Sequence, residues 1–249
     1  MERSFAQRIR EASERFVLYH TYDASRQNVE RAIDECKSID LDVSVDEMGR
    51  PYLGHSLEFY EKSGEARPRN MTFWEAIDLV AGSNIPAVVD CKDDRAWQFV
   101  EQAVEKLGPH RCLVHAYAAE LKFDYYLYDL DYESEWLGIA RLRSLKERYP
   151  SVTTTASAKF LPSDLLVDDK HRKLLLGIRE TLSNSFVDTV CLNVVPEGTM
   201  SDGVLALFLE KGIVPHVNVD SQDVSRLALP YVGESDILAR ASDCCVLGY

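Results

Sequence analysis

Two aspartates one residue apart, Asp40-Leu41-Asp42-Val43, interrupt an apolar run from Ile39 to Val45. Strand side chains alternate faces, so carboxylates at i and i+2 project to the same side and can grip one cation. His20 closes the short apolar run Phe16-Val17-Leu18-Tyr19, and His55 follows the turn sequence Asp46-Glu47-Met48-Gly49-Arg50-Pro51. A third acid, Asp90, closes Ile85 to Val89, with Lys92 two residues on. Three carboxylates without a thiolate or abundant imidazole suit a hard cation, magnesium or calcium, which leaves positions for phosphate oxygens. A divalent ion and an ammonium can stabilise charge developing on phosphorus. Two histidines can pass protons to and from the attacking and leaving oxygens. The chemistry expected of this set is metal-dependent phosphodiester cleavage, with Asp40, Asp42 and Asp90 on the metal and His20, His55 and Lys92 as catalytic groups.

Taken singly, each residue has a plainer explanation. Asp-x-Asp is more often a turn or a solvated edge. A lone strand-end histidine is more often a hydrogen-bonded structural group. Lys92 stands beside Asp93 and Asp94, which read as a helix cap. Convergence therefore depends on the elements that carry these side chains.

Residues 4 to 14 read as a charged amphipathic helix ahead of the domain proper. Phe16 to Tyr19 is then a buried strand, and Val29, Ala32, Ile33 and Cys36 form the stripe of a helix covering a sheet. Ile39 to Val45 is the second strand, and Tyr52 to His55 is a returning extended segment that brings His55 beside its end. Thr72-Phe73-Trp74-Glu75 is a capping box opening a helix with Phe73, Ile77, Val80 and Ala81 on one face. Ile85 to Val89 is the third strand. A helix follows, capped by Asp93 or Asp94, carrying Trp97, Val100, Ala103, Val104 and Leu107, and stopped by Gly108-Pro109. Cys112 to Val114 is the fourth strand, ending in His115. Ala116 to Glu135, rich in tyrosine, reads as a long aromatic loop overhanging that end of the fold.

Further strands are expected at Val152 to Thr155, Val187 to Leu192, Ile213 to Val219 and Cys244 to Leu247, with helices near 136 to 148, 169 to 182, 201 to 211 and 235 to 241. Eight strands in βα alternation over 249 residues predict a single-domain (β/α)8 TIM barrel spanning residues 16–249, with residues 1–15 as an N-terminal helical extension. A doubly wound open sheet is the alternative; no Gly-rich phosphate fingerprint follows the first strand. In a barrel the C-terminal strand ends face one bowl. They carry His20, Asp40, Asp42, Asp90, Lys92, His115, Thr154 or Thr155, Asn193, Asn218 and Asp220. His115, Lys159, Asn193 and Asn218 are candidate substrate-binding residues.

The formal net charge of −13 argues against nucleic acid or an anionic membrane as a bulk partner. An anionic ligand would need a local cation. The charged N-terminal stretch excludes the apolar segment of a secretion signal, and no apolar run reaches the ~20 residues of a membrane span. The six cysteines show no zinc spacing. The expectation is a cytoplasmic protein without stable membrane association.

These residues resemble the glycerophosphodiester phosphodiesterases. His20, Asn28, Asp40-Leu41-Asp42-Val43, the Met48-Gly49-Arg50-Pro51 turn and His55 are similar to that family's opening motif. Val88-Val89-Asp90-Cys91-Lys92 is similar to its third-strand acid-x-Lys motif, Val217-Asn218-Val219-Asp220 to its Trp-Thr-Val-Asn strand, and Cys245-Val246-Leu247-Gly248 to its closing strand. The resemblance implies a (β/α)8 barrel, a metal on Asp40, Asp42 and Asp90, an acid–base pair in His20 and His55, and Lys92 on the phosphate. It also implies that a substrate hydroxyl can attack phosphorus first, giving a cyclic phosphate. The chain departs from the family in three places. His20-Thr21-Tyr22 stands where His-Arg-Gly is usual. Asp40 and Asp90 replace glutamates, and Asp-x-Lys resembles the form in sphingomyelinases D and agrocinopine-processing enzymes. Few residues separate His55 from the Thr72 helix, where the family inserts a cap subdomain.

The expected substrate is a small soluble phosphodiester, of glycerol or a sugar. Three alternatives stay open: a phospholipase D or sphingomyelinase D-like enzyme acting on lysophospholipids, a Schiff-base aldolase built on Lys92, and an inactive barrel that binds a phosphorylated ligand.

Overall fold

The computed structural model describes residues 16–20, 25–35, 38–67, 71–124, 129–130, 136–159, 186–193, 213–220 and 244–248. The second strand shows how the fold is built. Strand β2 (Ser38–Val45) alternates Ile39, Leu41, Val43 and Val45 with Asp40, Asp42 and Ser44. The apolar set is at most 1 % exposed and joins the main hydrophobic core. The polar set is buried as well, at 6 %, 3 % and 0 %. A strand with water on one side would expose its polar face; here both faces are covered.

Strand pairing explains the covering. β1 (Phe16–His20) pairs in parallel with β2, and β2 in parallel with β4 (Ala87–Cys91). The order continues through β5 (Cys112–Asp124), β7 (Thr153–Lys159), β8 (Thr189–Asn193), β9 (Val214–Asp220) and β10 (Cys244–Gly248), each parallel to its neighbour. β10 pairs in turn with β1, so these eight parallel strands hydrogen-bond in a cycle. Two short antiparallel partners make the sheet mixed: β3 (Pro51–Leu53) on β2 and β6 (Asp129–Leu130) on β5.

Among the described residues, helices α1 (Arg26–Asp34), α3 (Phe73–Ala81), α4 (Trp97–Leu107) and α5 (Trp136–Arg148) supply the outer layer. Their buried stripes, Val29 and Ala32, then Phe73, Ala76, Ile77 and Val80, then Val100, Ala103, Val104 and Leu107, then Ile139, Leu142 and Leu145, join one core with the apolar side of the strands. Local chemistry fixes the boundaries. Ser25 caps α1 by accepting from Asn28 N, and Thr72 and Glu75 form the expected capping box of α3. Buried Arg111 donates to the carbonyls of Val80 and Ser83 at the far end of α3, where backbone acceptors run out of helical donors. Lys146 of α5 donates to Val152 O and Asp188 Oδ2, and that carboxylate also takes Thr154 N, which ties α5 to β7 and the start of β8. Among the described residues no helix is long and apolar enough to cross a membrane.

The expected elements are present with shifted ends wherever they fall on described residues. The third strand lies at Ala87–Cys91 instead of 85–89, with Asp90 inside it. Asp93 caps a single 3-10 turn, Asp94–Ala96, which runs into α4. A seven-residue helix α2 (Leu57–Ser63), capped by Ser56, was not anticipated. The largest correction concerns the long aromatic loop. Residues 116–124 continue strand β5 and pair with β7 as far as Lys122 opposite Lys159, and Phe123 and Asp124 pair antiparallel with β6; residues 125–128 and 131–135 of the expected loop lie outside the described residues. The aromatic and alternating character of this stretch suits a strand. A register shift between His115 and Glu120 interrupts the β5–β7 ladder before the pairing resumes. The expected helices at 4 to 14, 169 to 182, 201 to 211 and 235 to 241 lie outside the described residues.

Candidate active site

Directly paired residues of neighbouring parallel strands share a face. The register therefore defines rows on the inner side. One row runs Asp42, Asp90, His115, Thr155, Thr189 across β2, β4, β5, β7 and β8. The row beneath it runs Asp40, Val88, Leu113, Thr153. His20 stands opposite Asp40 on β1. The two acids of β2 thus occupy successive layers, Asp40 between His20 and Val88 and Asp42 beside Asp90.

The charged groups of the upper row are in contact. Lys92, whose backbone N–H is held by Val43 O within β2, donates from Nζ to Asp90 Oδ2 at 2.6 Å and lies 3.3 Å from Asp42 Oδ1. His115 Nδ1 is 2.8 Å from Asp90 Oδ1, so both oxygens of Asp90 are engaged. An ionised carboxylate can only accept, which puts the proton of that contact on His115 Nδ1. His55 Nε2 lies 3.5 Å from Asp42 Oδ2. Burial alone would raise the Asp90 pKa, but the Lys92 and His115 charges and hydrogen bonds outweigh it and hold the carboxyl well below its ordinary range. Burial would likewise lower Lys92, yet Asp42, Asp90 and Asp40 keep it charged well above its ordinary range. Asp90 and Lys92 therefore stay charged at neutral pH.

The β2–β3 hairpin brings His55 back to this row. Asp46 accepts at Oδ1 from Met48 N and Arg50 N and at Oδ2 from Arg50 Nε, all at 2.9 Å, and so closes the turn. Beyond β3, Gly54 N–H donates to Asp42 O, and Ser44 Oγ donates to Gly54 O. The backbone hydrogen bond from Arg50 leads the effects that lower the Asp46 pKa. A lowered folded pKa adds stability above the unfolded value of ~3.9, and this is lost as pH falls through the folded one. Asp46→Asn is accordingly expected to melt below the wild type at pH 7. The gap should narrow as the pH is taken down through ~4, as read by circular dichroism melts; a constant gap would count against this role for the carboxylate.

Of the residues singled out from the sequence, Asp42, Asp90, Lys92, His55 and His115 meet through their side chains. Asp40 lies one layer deeper and acts on Lys92 through its charge. The backbones of Lys159, Asn193 and Asn218 fall in one further row across β7, β8 and β9. Sequence reasoning missed the groups around His55, Tyr52 and the α2 residues Phe59 and Tyr60. A glycine, a histidine and a serine cap ahead of two aromatics was the available signal. It also left out Thr189, which shares the upper row.

The donor types fit a hard divalent cation: Asp40 and Asp42 are buried acids on one face of β2, and Asp90 is in register beside Asp42. Buried carboxylates are sustained by pairing or by metals. Among the described residues, however, no three His, Cys, Asp or Glu side chains already converge as a cage. Lys92 stands between Asp42 and Asp90 and takes up part of their charge.

No family model matches the sequence, and no curated protein does. Solved structures do resemble it. A glycerophosphodiester phosphodiesterase from Agrobacterium tumefaciens str. C58 aligns over 94% of this chain and 96% of its own, with a TM-score of 0.53 and 12% identity. TsXylA, an intracellular xylanase from Thermoanaerobacterium saccharolyticum JW/SL-YS485, aligns over 97% of this chain and 87% of its own, with a TM-score of 0.53 and 9% identity. A phosphodiesterase and a xylanase align equally well, so what the likeness shows is the α/β fold of TIM-barrel enzymes.

Proposed function

We propose that the chain is a (β/α)8 barrel enzyme, a metal-dependent phosphodiesterase that cleaves a small soluble diester of glycerol or a sugar. The observation that carries this reading is the row Asp42–Asp90–His115, set side by side on adjacent parallel strands, bridged by Lys92 and faced by His55. Asp40, Asp42 and Asp90 would hold magnesium or calcium, which when bound supplies positive charge for phosphate oxygens. Lys92 offers a second, permanent cation beside the same oxygens. His55, with Asp42 stabilising its charged form, protonates the leaving oxygen. His20, on the neighbouring strand, takes the proton of the attacking hydroxyl, of water or of the substrate itself; in the latter case a cyclic phosphate forms. His115 fixes Asp90 and through it Lys92. The row of Lys159, Asn193 and Asn218 supplies polar groups for the alcohol portion, at the end of the strands where barrel enzymes bind substrates.

Calorimetric titration with magnesium and calcium, alongside turnover of glycerophosphocholine and bis-(p-nitrophenyl) phosphate, tests this. The expected result is binding of one divalent ion and diester cleavage that EDTA abolishes. Metal binding without turnover of any diester would favour a barrel that merely binds phosphorylated ligands, and absence of metal binding would sink the proposed centre.

A further inference from the structure

His55 is gripped from three directions. Tyr52 Oη donates to the His55 carbonyl at 2.6 Å, and the His55 N–H donates to Tyr60 Oη at 3.1 Å. Phe59 stacks on the imidazole with ring centroids 4.2 Å apart and planes 23° from parallel. These contacts follow from local chain geometry. Ser56 is the cap of α2, which places His55 immediately before the cap and Tyr60 on the fourth helical residue, the two positions that pack together in a hydrophobic staple. Gly54 has φ +135, and a Cβ there would stand 2.5 Å from Tyr60 Oη. Glycine is therefore what admits the Tyr60 hydroxyl. Burial pushes the Tyr52 phenol up to about 12, so it remains a donor at neutral pH.

A part-buried histidine at the entry of a short helix that buries no residue fully has no need of three aromatic supports for folding. We infer that Tyr52, Phe59 and Tyr60 are positioning residues that hold the His55 imidazole against Asp42. The two hydroxyls fix the backbone on either side of its Cα, and the Phe59 ring fixes the plane of the imidazole. Reacting groups need placement within a fraction of an ångström, and a ~1 Å error can cost ~100-fold in rate.

The kinetic part of the test rests on the phosphodiesterase reading; a spectroscopic part does not. Tyr52→Phe, Tyr60→Phe, the double variant and Phe59→Leu each keep an apolar side chain of similar bulk. Each single Tyr→Phe change is expected to lower kcat ~10-fold and the double ~100-fold, with KM within about twofold. Melting temperature should stay within a few degrees. In proton NMR spectra, assigned by loss of signal in His55→Gln, the His55 ring C–H resonance should be displaced by the Phe59 ring in the wild type. It should return toward the position of a free histidine in Phe59→Leu and in the double variant. A wild-type resonance already at the free position overturns the proposal, as does an unchanged kcat in the double variant of an active enzyme. A parallel fall of kcat and melting temperature overturns it too. If the wild type cleaves no diester but the displaced resonance and its loss are seen, the phosphodiesterase reading fails and the positioning of His55 stands.

Discussion

Asp42→Asn is expected to weaken divalent metal binding by at least ~100-fold and to remove diesterase activity, while the protein stays folded. The exchange preserves shape and removes one charge from the side chain that faces both Lys92 and His55. Even residues that only support a metal ligand cost ~10–100-fold in affinity when changed, and Asp42 is proposed as a ligand itself. The fold should survive because Lys92 keeps its 2.6 Å partner, Asp90, and because Asp42 N and O belong to strand pairing and to the Gly54 contact, which the side chain does not make. Calorimetry with magnesium and calcium, read beside a circular dichroism melt, separates the two effects. Undiminished metal binding in a folded Asp42→Asn protein would remove Asp42 from the proposed centre.

His20→Ala is expected to behave in the opposite way. Activity should fall by ~10²–10⁴-fold, the usual contribution of a positioned general acid or base. Metal affinity should remain within a few-fold of the wild type, since imidazole is absent from the proposed ligand set. The backbone of His20 is the last residue of β1 and lies opposite Asp40 and Gly248, so it stands at the seam where the first and last strands meet. The contrast with Asp42→Asn is the informative measurement: one variant loses metal and turnover together, the other turnover alone. A fully active His20→Ala protein would refute the acid–base assignment.

Much of the fold was legible because burial writes periodic patterns. The stripe of α4 and the Thr72–Glu75 capping box of α3 are local features, satisfied within a few residues of chain, and the structure reproduces them. The reach of β5 was not legible. Residues 116–124 carry tyrosine, charge and alanine together, and their strand character comes from pairing with β7, some forty positions away in sequence. Helix α2 escaped for a related reason. It buries no residue fully, so no apolar stripe announces it; its Ser56 cap and its αL glycine, Gly64, mark its ends.

The site divides in the same way. Residue types and the spacing of two determined that Asp40 and Asp42 share a face of one strand, that Asp90 and Lys92 close another, and that a histidine follows each flanking segment. The same alternation would be read from a solvated hairpin, in which both acids would be ordinary surface charge. Tertiary structure decided between the two. In the folded chain β2 lies between β1 and β4 with Asp40 and Asp42 buried to 6 % and 3 % exposure, and the parallel register sets Asp42, Asp90 and His115 side by side. A buried carboxylate requires a partner, and which partner is available depends on strand order and register, quantities that no single segment contains.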